Sequence, residues 1–297
     1  MSGYRAGIVG VFGQTNVGKS TFLNAVFGRK IVITSDKPQT TRNQIRCILS
    51  TEEAQIVFVD TPGLHQPKNQ LGRHILREAY RGLRGIDILV YMVEPTGAVN
   101  SFDRDALQRL EGAEYPIILL VNKIDRARGN LLEETLLAYA ATEQFAEIIP
   151  VSALTEAGIE ETIKTIVSYL PIRPALFPPE IEIDRAEEFL IAEIIREKAY
   201  ALMHQELPYS LAVHVKWMRE RPDRSDQMIE IRAELVVERE SQKGIVVGRQ
   251  GRTIKRIGTS ARTDIQAFLG RPVFLDLIVK VLPNWTRDEQ KIRELTD

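Results

Sequence analysis

Cysteine is almost missing from this 297-residue sequence: Cys47 stands alone. No intramolecular disulfide can form, a usage that fits a reducing compartment. No apolar run approaches the ~18 residues that a membrane-crossing helix needs. The opening MSGYRAGIVGVFG has one Arg ahead of a short apolar run, and reads as a first core strand rather than a signal peptide. Net charge is missing too. Lys and Arg number 39 against 40 Asp and Glu, a formal charge of −1. That excludes a global field drawing the chain onto a polyanion, so any such attraction has to come from a local patch. His65, His74, His204 and His214 make no metal-ligand spacing with the one cysteine, so neither a structural zinc nor a catalytic triad is indicated. Long repeats and low-complexity segments are also absent.

What is present is an ordinary globular composition, 44% hydrophobic and 27% charged, with the length of about two domains. The first part alternates short apolar runs (RAGIVGVFG, AQIVFVD, DILVYMVE, PIILLVNK, EIIPVS) with helically spaced stretches. Continuous apolar runs suit strands buried on both faces, and strand–helix alternation predicts an α/β, doubly wound, mostly parallel sheet. IRCILS and AQIVFVD read as a hairpin pair. Pro171, Pro174, Pro178 and Pro179 then fall within nine residues, too dense for a helix or central strand, and read as a semi-rigid linker. The expected division is 1–172, a linker over 173–184, and 185–297, with the boundary near residue 175. Beyond it the order α-β-β-α-α-β predicts a smaller α+β domain.

GQTNVGKS, Gly13 to Ser20, fits G-x-x-x-x-G-K-[ST] between a strand and a helix. Gly13 and Gly18 let the loop (Gln14, Thr15, Asn16, Val17) wrap so that backbone N–H groups meet phosphates at a helix N-terminus. Lys19 would reach the outer phosphates and Ser20 would ligate Mg²⁺, with Thr21 following. Asp60 ends IVFVD where a second acid on the Mg²⁺ side belongs, followed by Thr61, Pro62, Gly63 and Leu64. Taken by itself, Asp60 is equally a strand-end turn former. Gly63 would bring its N–H to a γ-phosphate. In NKID, Asp125 can accept two N–H bonds from guanine's Watson–Crick edge, while Asn122 braces the loop beside Lys123. SAL follows the last strand, where Ser152 precedes an Ala153 amide that could meet guanine O6. Of Thr40 and Thr41 in KPQTTRNQ, Thr41 is favoured as the hydroxyl that caps Mg²⁺ when a γ-phosphate is present. A loop threonine with no such role is the plain alternative. The ligand set is therefore GTP or GDP with Mg²⁺.

Asn-Val-Gly-Lys-Ser in the P-loop, Gln-Thr-Thr-Arg from Gln39 to Arg42, Asp-Thr-Pro-Gly-Leu-His at 60–65 and Asn-Lys-Ile-Asp at 122–125 together resemble the Era family of GTPases over the whole chain. Gln14 and Thr15 depart from the basic residue and proline usual there. The resemblance also bears on Leu64, which stands where other GTPases carry a water-orienting glutamine. It implies that K⁺ near Asn16 supplies positive charge to the transition state, unless Asn16 only braces the loop.

Gly248 to Gly251, GRQG, fits the GXXG loop that clamps nucleotide backbones, a pattern weak by itself and also met at Gly7, Gly10 and Gly82. Here it lies between two helical stretches within a run (Lys243, Arg249, Arg252, Lys255, Arg256, Arg262) that holds no acid from Lys243 to Thr263. Gln250 and Gly251 complete the turn. Ile245, Val246, Ile254 and Ile257 are expected to floor a groove for bases. Element order and IVVGRQGRTIKRIG resemble type II KH domains, which bind RNA. Trp217 and Trp285 are expected to pack in the core or at an edge rather than stack on bases, and Cys47 to be core.

The family resemblance implies a cytoplasmic, monomeric GTPase. It would bind the 3′ end of small-subunit (16S) rRNA, act in 30S subunit assembly and associate peripherally with the inner membrane. Two rival readings are a non-catalytic GTP-holding RNA switch and a tRNA-modifying GTPase. The ending IRELTD, without a C-terminal reactive cysteine, argues against the latter.

Overall fold

A computed structural model describes residues 3–34, 42–67, 69–203, 210–221 and 227–296. Among the described residues the chain divides into two compact units, the first holding 3–34, 42–66 and 75–184 and the second holding 67, 69–74, which include the start of the helix over 70–81, and the described chain from Arg185 on. Among the described residues no helix is long and apolar enough to cross a membrane.

The first unit is built on a six-stranded sheet. Its strands are β1 (Arg5–Gly13), β2 (Ile45–Ser50), β3 (Ala54–Asp60), β4 (Ile88–Val93), β5 (Ile117–Val121) and β6 (Glu147–Pro150). Their order is β2-β3-β1-β4-β5-β6. β2 and β3 form the antiparallel hairpin, and the other pairings are parallel. β4 and β5 are buried at every residue, as continuous apolar runs between helical layers require. The register brings the C-terminal strand ends level: Val11 pairs with Asp60, Gly13 with Met92, Val93 with Val121 and Val121 with Pro150. In an open parallel sheet that edge is where ligands bind. Helices α1 (Lys19–Val26), α2 (Gln70–Arg81), α3 (Ser101–Leu110), α4 (Leu131–Ala140) and α5 (Ile159–Tyr169) connect the strands. α3 is started by Asn100, whose side chain accepts from Asp103 N at 2.9 Å.

Residues 173–184, read from the sequence as a separate linker, are held along this unit. Gln55 is fully buried; it accepts from Leu176 N (2.7 Å) and Phe177 N (2.9 Å) and donates to Phe177 O (2.8 Å). Ile48 N donates to Glu182 O (2.7 Å) and Asp184 N to Arg46 O (3.0 Å). Arg173 donates to Ala6 O at 2.9 Å and pairs with Asp87. Prolines stop helix and sheet from forming here, yet the other backbone groups still need partners, and β1–β3 supply them.

The second unit runs α6 (Glu187–Leu202), β7 (Ala212–Glu220), β8 (Ile229–Val237), α7 (Glu240–Val247), α8 (Arg252–Leu269), β9 (Val273–Val281) and α9 (Glu289–Thr296). The sheet order is β7-β8-β9, antiparallel and then parallel. Ile191, Ile195 and Ala199 on α6 and Ile257, Ala261 and Ile265 on α8 repeat every four residues. They meet Ile231, Ala233, Leu235 and Val237, which alternate along β8, in one core. α9 was not anticipated from sequence. Trp285 ahead of it is fully buried and donates its indole N–H to Ser210 O at 3.1 Å. Trp217 is half-buried beneath the Arg219 guanidinium, 4.5 Å from the ring centroid.

Candidate nucleotide site and nucleic-acid interface

Gly13 to Ser20 join β1 to α1. Gly13 (φ 146°), Asn16 (φ 65°) and Gly18 (φ 102°) all have positive φ. A Cβ at Gly18 would lie 2.2 Å from Asn122 Nδ2, and one at Gly13 2.3 Å from Met92 O, so both places require glycine. Asn is among the few other residues that tolerate such a backbone, and Asn16 is exposed. Lys19 is buried, donating through Nζ to Gly13 O (3.0 Å) and Gln14 O (2.8 Å). Burial lowers its pKa to about 8, against the opposing pull of the Asp60 carboxylate.

Asp60 closes β3, and Ser20 Oγ donates to its Oδ2 at 3.2 Å. Adjacent oxygen ligands of an octahedral Mg²⁺, bound at about 2.1 Å, lie ~3 Å apart, so this pair fits that ion. Thr21 follows in the first turn of α1. Thr61 is buried and donates to Val11 O at 2.6 Å, with Pro62 buried beside it. Leu64 N donates to Gly13 O (3.0 Å) and Thr15 N to Leu64 O (3.1 Å), stitching this stretch to the P-loop. A Cβ on Gly63 would sit 2.7 Å from Thr15 Cα. The Leu64 side chain is 1% exposed and packs in the core with Phe12, Ala79, Leu83 and Tyr91. Its apolar nature serves packing, while its backbone serves the loop. Thr41 lies outside the described residues.

At the far end of the strand edge, Asn122 is buried, donating to Val17 O (2.7 Å) and accepting from Ala153 N (2.9 Å). One amide thus ties the P-loop to the loop after β6. Lys123 (φ 67°) reaches Asn16 O at 2.6 Å and pairs with Glu94. Ser152 Oγ donates to Asp125 Oδ1 at 2.6 Å and so orients that carboxylate.

Sequence reasoning missed Asp103. It is 1% exposed and accepts from Gln14 Nε2 (2.9 Å), Tyr91 OH (2.8 Å), Tyr139 OH (2.7 Å) and Asn100 Nδ2 (2.6 Å). Desolvation, and then the Asp103 charge, push both phenols up from their usual pKa. Gln14, where the family's basic residue would stand, is therefore anchored from behind. Only the Asn100 to Asp103 capping spacing could have drawn notice to this acid.

In the second unit α7 ends at Val247, capped by Gly248, and α8 begins at Arg252, with a short 3-10 turn over Arg249–Gly251 between them. Gln250 (φ 51°) and Gly251 (φ 74°) are left-handed, and no atom lies within 4 Å of a Cβ built on Gly251. Arg249, Gln250, Arg252, Lys255 and Arg256 are exposed around this turn, and Lys243 is half-buried on α7. Two expected groove residues are elsewhere. Val246 and Ile257 are fully buried in the core. Consecutive helical residues point ~100° apart, so with Val246 turned inward it is Ile245 that is 57% exposed. Ile257 lies on the α8 stripe turned to the sheet, against which Ile254 also packs. Cys47 is fully buried, its thiol pushed up chiefly by desolvation.

Residues 8–123 match the family model for 50S ribosome-binding GTPases, and residues 206–286 the KH domain. GTPase Era of Geotalea uraniireducens is 43% identical over 98% of this chain and 97% of its own. The chain belongs to the Era family of GTPases. GTPase Era of Caldanaerobacter subterraneus is 42% identical over the same shares. The structure of an Era in complex with MgGDPNP and nucleotides 1506–1542 of 16S ribosomal RNA superposes at a TM-score of 0.93, with 36% identity and 98% of each chain covered. A tyrosine-to-alanine variant of Aquifex aeolicus Era bound to GDP and AlF4⁻ gives the same values. Full-length agreement across both units sets aside the tRNA-modifying reading.

Proposed function

We propose that this chain binds and hydrolyses GTP with Mg²⁺, binds the 3′ end of 16S rRNA through its KH unit, and acts in 30S subunit assembly. The carrying observation is that an Era matching 98% of this chain was crystallised with both MgGDPNP and 16S rRNA nucleotides 1506–1542. The 50S description attaches to a model covering residues 8–123 alone, so the two-domain match decides for the small subunit.

In this reading Lys19 neutralises the outer phosphates, and the P-loop amides from Gly13 to Thr21 cradle them. Ser20, Asp60 and Thr41 would hold Mg²⁺, which would supply positive charge against the negative charge that develops on the phosphates. The Gly63 amide meets the γ-phosphate. Asp125, oriented by Ser152, reads guanine's two donors, and the Ala153 amide, braced by Asn122, reads O6. Leu64 leaves water to be placed by backbone and switch groups. Exposed Asn16 offers an oxygen of the kind K⁺ accepts, and a cation there would stabilise the γ-phosphate charge. The Aquifex aeolicus complex with GDP and AlF4⁻ favours hydrolysis over a passive GTP-holding switch.

Lys243, Arg249, Arg252, Lys255 and Arg256 neutralise RNA phosphates, with Gly248, Gln250 and Gly251 letting the backbone approach. An rRNA partner puts the chain in the cytoplasm, and a monomer that touches the inner membrane peripherally completes the family reading. In-cell crosslinking and sequencing of bound RNA, wild type against Gly251→Asp, tests it. Enrichment at the 3′ end of 16S rRNA that is lost in the variant supports it. Enrichment elsewhere, or indifference to Gly251, overturns the assembly role or the RNA site.

A further inference from the structure

Two neighbouring side chains of the NKID stretch hold two neighbouring carbonyls of the P-loop. Asn122 Nδ2 donates to Val17 O at 2.7 Å, and Lys123 Nζ donates to Asn16 O at 2.6 Å. Asn122 is buried and its amide oxygen accepts from Ala153 N, so the first tie is fixed at both ends of the amide. The second tie is of another kind. An ammonium on a long flexible stem is held weakly against water by one neutral carbonyl. A second acceptor is present, however: Glu94 forms an ion pair with the same ammonium. The sheet explains why Glu94 is there. Val93 on β4 pairs with Val121 on β5, and Asn122 N donates to Val93 O at 2.8 Å. Glu94 therefore leaves the end of β4 beside the point where Lys123 leaves β5.

Lys123 is also backbone-constrained. The amides on either side of it are anchored, Asn122 N on Val93 O and Ile124 N on Val151 O at 3.3 Å. Its own angles are left-handed, φ 67° and ψ 35°. That conformation is unfavourable for a residue with a Cβ, and it persists where the surroundings hold it. The Lys123 side chain is 23% exposed, so its pair with Glu94 is screened less than one on the open surface.

We propose that Glu94 is a positioning residue for the guanine nucleotide: it holds Lys123 on Asn16 O, ties the base-reading loop to the phosphate loop, and so slows nucleotide release. This rests on the reading in which the P-loop takes the phosphates and Asp125, two residues after Lys123, reads the guanine. The two loops then grip opposite ends of one ligand. Opening the guanine side requires Lys123 to leave Asn16 O, and the Glu94 carboxylate opposes that step. Without the carboxylate the ammonium keeps one carbonyl, and the rotamer freedom of lysine favours its release to water. Glu94 acts through Lys123 and not on the ligand.

The test is release of a fluorescent GDP analogue from the full-length protein, chased with unlabelled GDP and followed by stopped flow. Glu94→Ala releases the analogue about three- to tenfold faster, the scale of one partly buried charge-assisted hydrogen bond. Its association rate stays within about twofold of wild type, which also reports a folded variant. Glu94→Gln keeps an oxygen that accepts from the ammonium, and recovers most of the slow release. In a Lys123→Ala background, Glu94→Ala adds less than about twofold, because the group it holds is gone. Equilibrium titrations complete this cycle where Lys123→Ala releases too fast to follow. Release from Glu94→Ala within about twofold of wild type, or effects of Glu94→Ala and Lys123→Ala that simply multiply, overturns the proposal. Wild type that holds no guanine nucleotide would overturn the reading of the site and this role with it, whereas wild-type binding with Glu94→Ala unchanged overturns this role alone.

Discussion

Asp103→Ala tests whether the nucleotide loop is held from behind. The wild-type carboxylate serves four donors. Gln14 and Asn100 are partly exposed, and their amides can turn to water. Tyr91 and Tyr139 are fully buried, and their hydroxyls cannot. Each buried group left without a partner costs about 1–3 kcal/mol, so the two hydroxyls together give roughly 2–6 kcal/mol. Removing a buried charge offsets part of that by relieving desolvation, for a net loss of about 2–5 kcal/mol. In a unit of this size 1 kcal/mol lowers the melting temperature by about 2–4 °C, so the first unit should melt roughly 5–15 °C earlier. Calorimetry of the whole chain reads it, with the second unit's transition as an internal control. GDP release should also quicken, because Gln14 loses its anchor. Asp103→Asn keeps the shape and one acceptor oxygen, and should cost less than half as much. In a double-mutant cycle with Tyr139→Phe, a coupling of at least about 1 kcal/mol is expected. A shift under about 2 °C, or strict additivity with Tyr139→Phe, would refute the reasoning.

Asp125→Asn should weaken GTP binding about 5- to 150-fold, the equivalent of one bidentate base contact of about 1–3 kcal/mol, and improve binding of xanthosine triphosphate, whose O2 accepts from the new amide. Competition titrations with the two nucleotides check it, and unchanged preference would count against the guanine assignment. Lys19 titrates near pH 8 before nucleotide arrives because burial lowers it, whereas phosphate beside it favours the ammonium. Above pH 8 binding must therefore take up a proton, and affinity should fall by up to about tenfold per pH unit. Calorimetric titrations at pH 9 in two buffers of different ionisation enthalpy should give an uptake near one proton, abolished in Lys19→Ala. Asn16→Ala should remove any advantage of KCl over NaCl in GTP turnover while leaving GDP affinity within about threefold; an unchanged rate in potassium buffer would sink the K⁺ assignment. For the KH loop, about four phosphate contacts on single-stranded RNA predict a salt slope near −3, and Arg249→Gln should reduce it by about 0.7.

Much of the nucleotide site was legible because its chemistry is local in sequence. A loop that wraps a phosphate needs glycine at two fixed positions and a lysine and hydroxyl next to them, so Gly13 to Ser20 announces itself in eight residues. The strand ends that carry Asp60, Asn122 and Ser152 are marked by buried apolar runs, and parallel pairing brings those ends to one edge. GRQG is much less specific alone, and gained meaning from the acid-free basic run around it.

What the sequence could not decide concerns directions and distant partners. Whether Val246 or Ile245 faces the core depends on how α7 is rotated against the sheet, and two adjacent apolar residues read alike until that rotation is known. Leu64 looked like a missing catalytic group, but tertiary packing made it a core residue whose backbone, not side chain, meets the P-loop. The proline-rich stretch read as a spacer because prolines break regular structure. Only the fold showed Gln55, about 120 residues earlier in the chain, binding its backbone. Asp103 gathers donors from β1's loop, β4 and α4, which no spacing along the chain links. Residue types and short spacings specify what a loop can bind, and three-dimensional packing decides which side chains remain available to bind it.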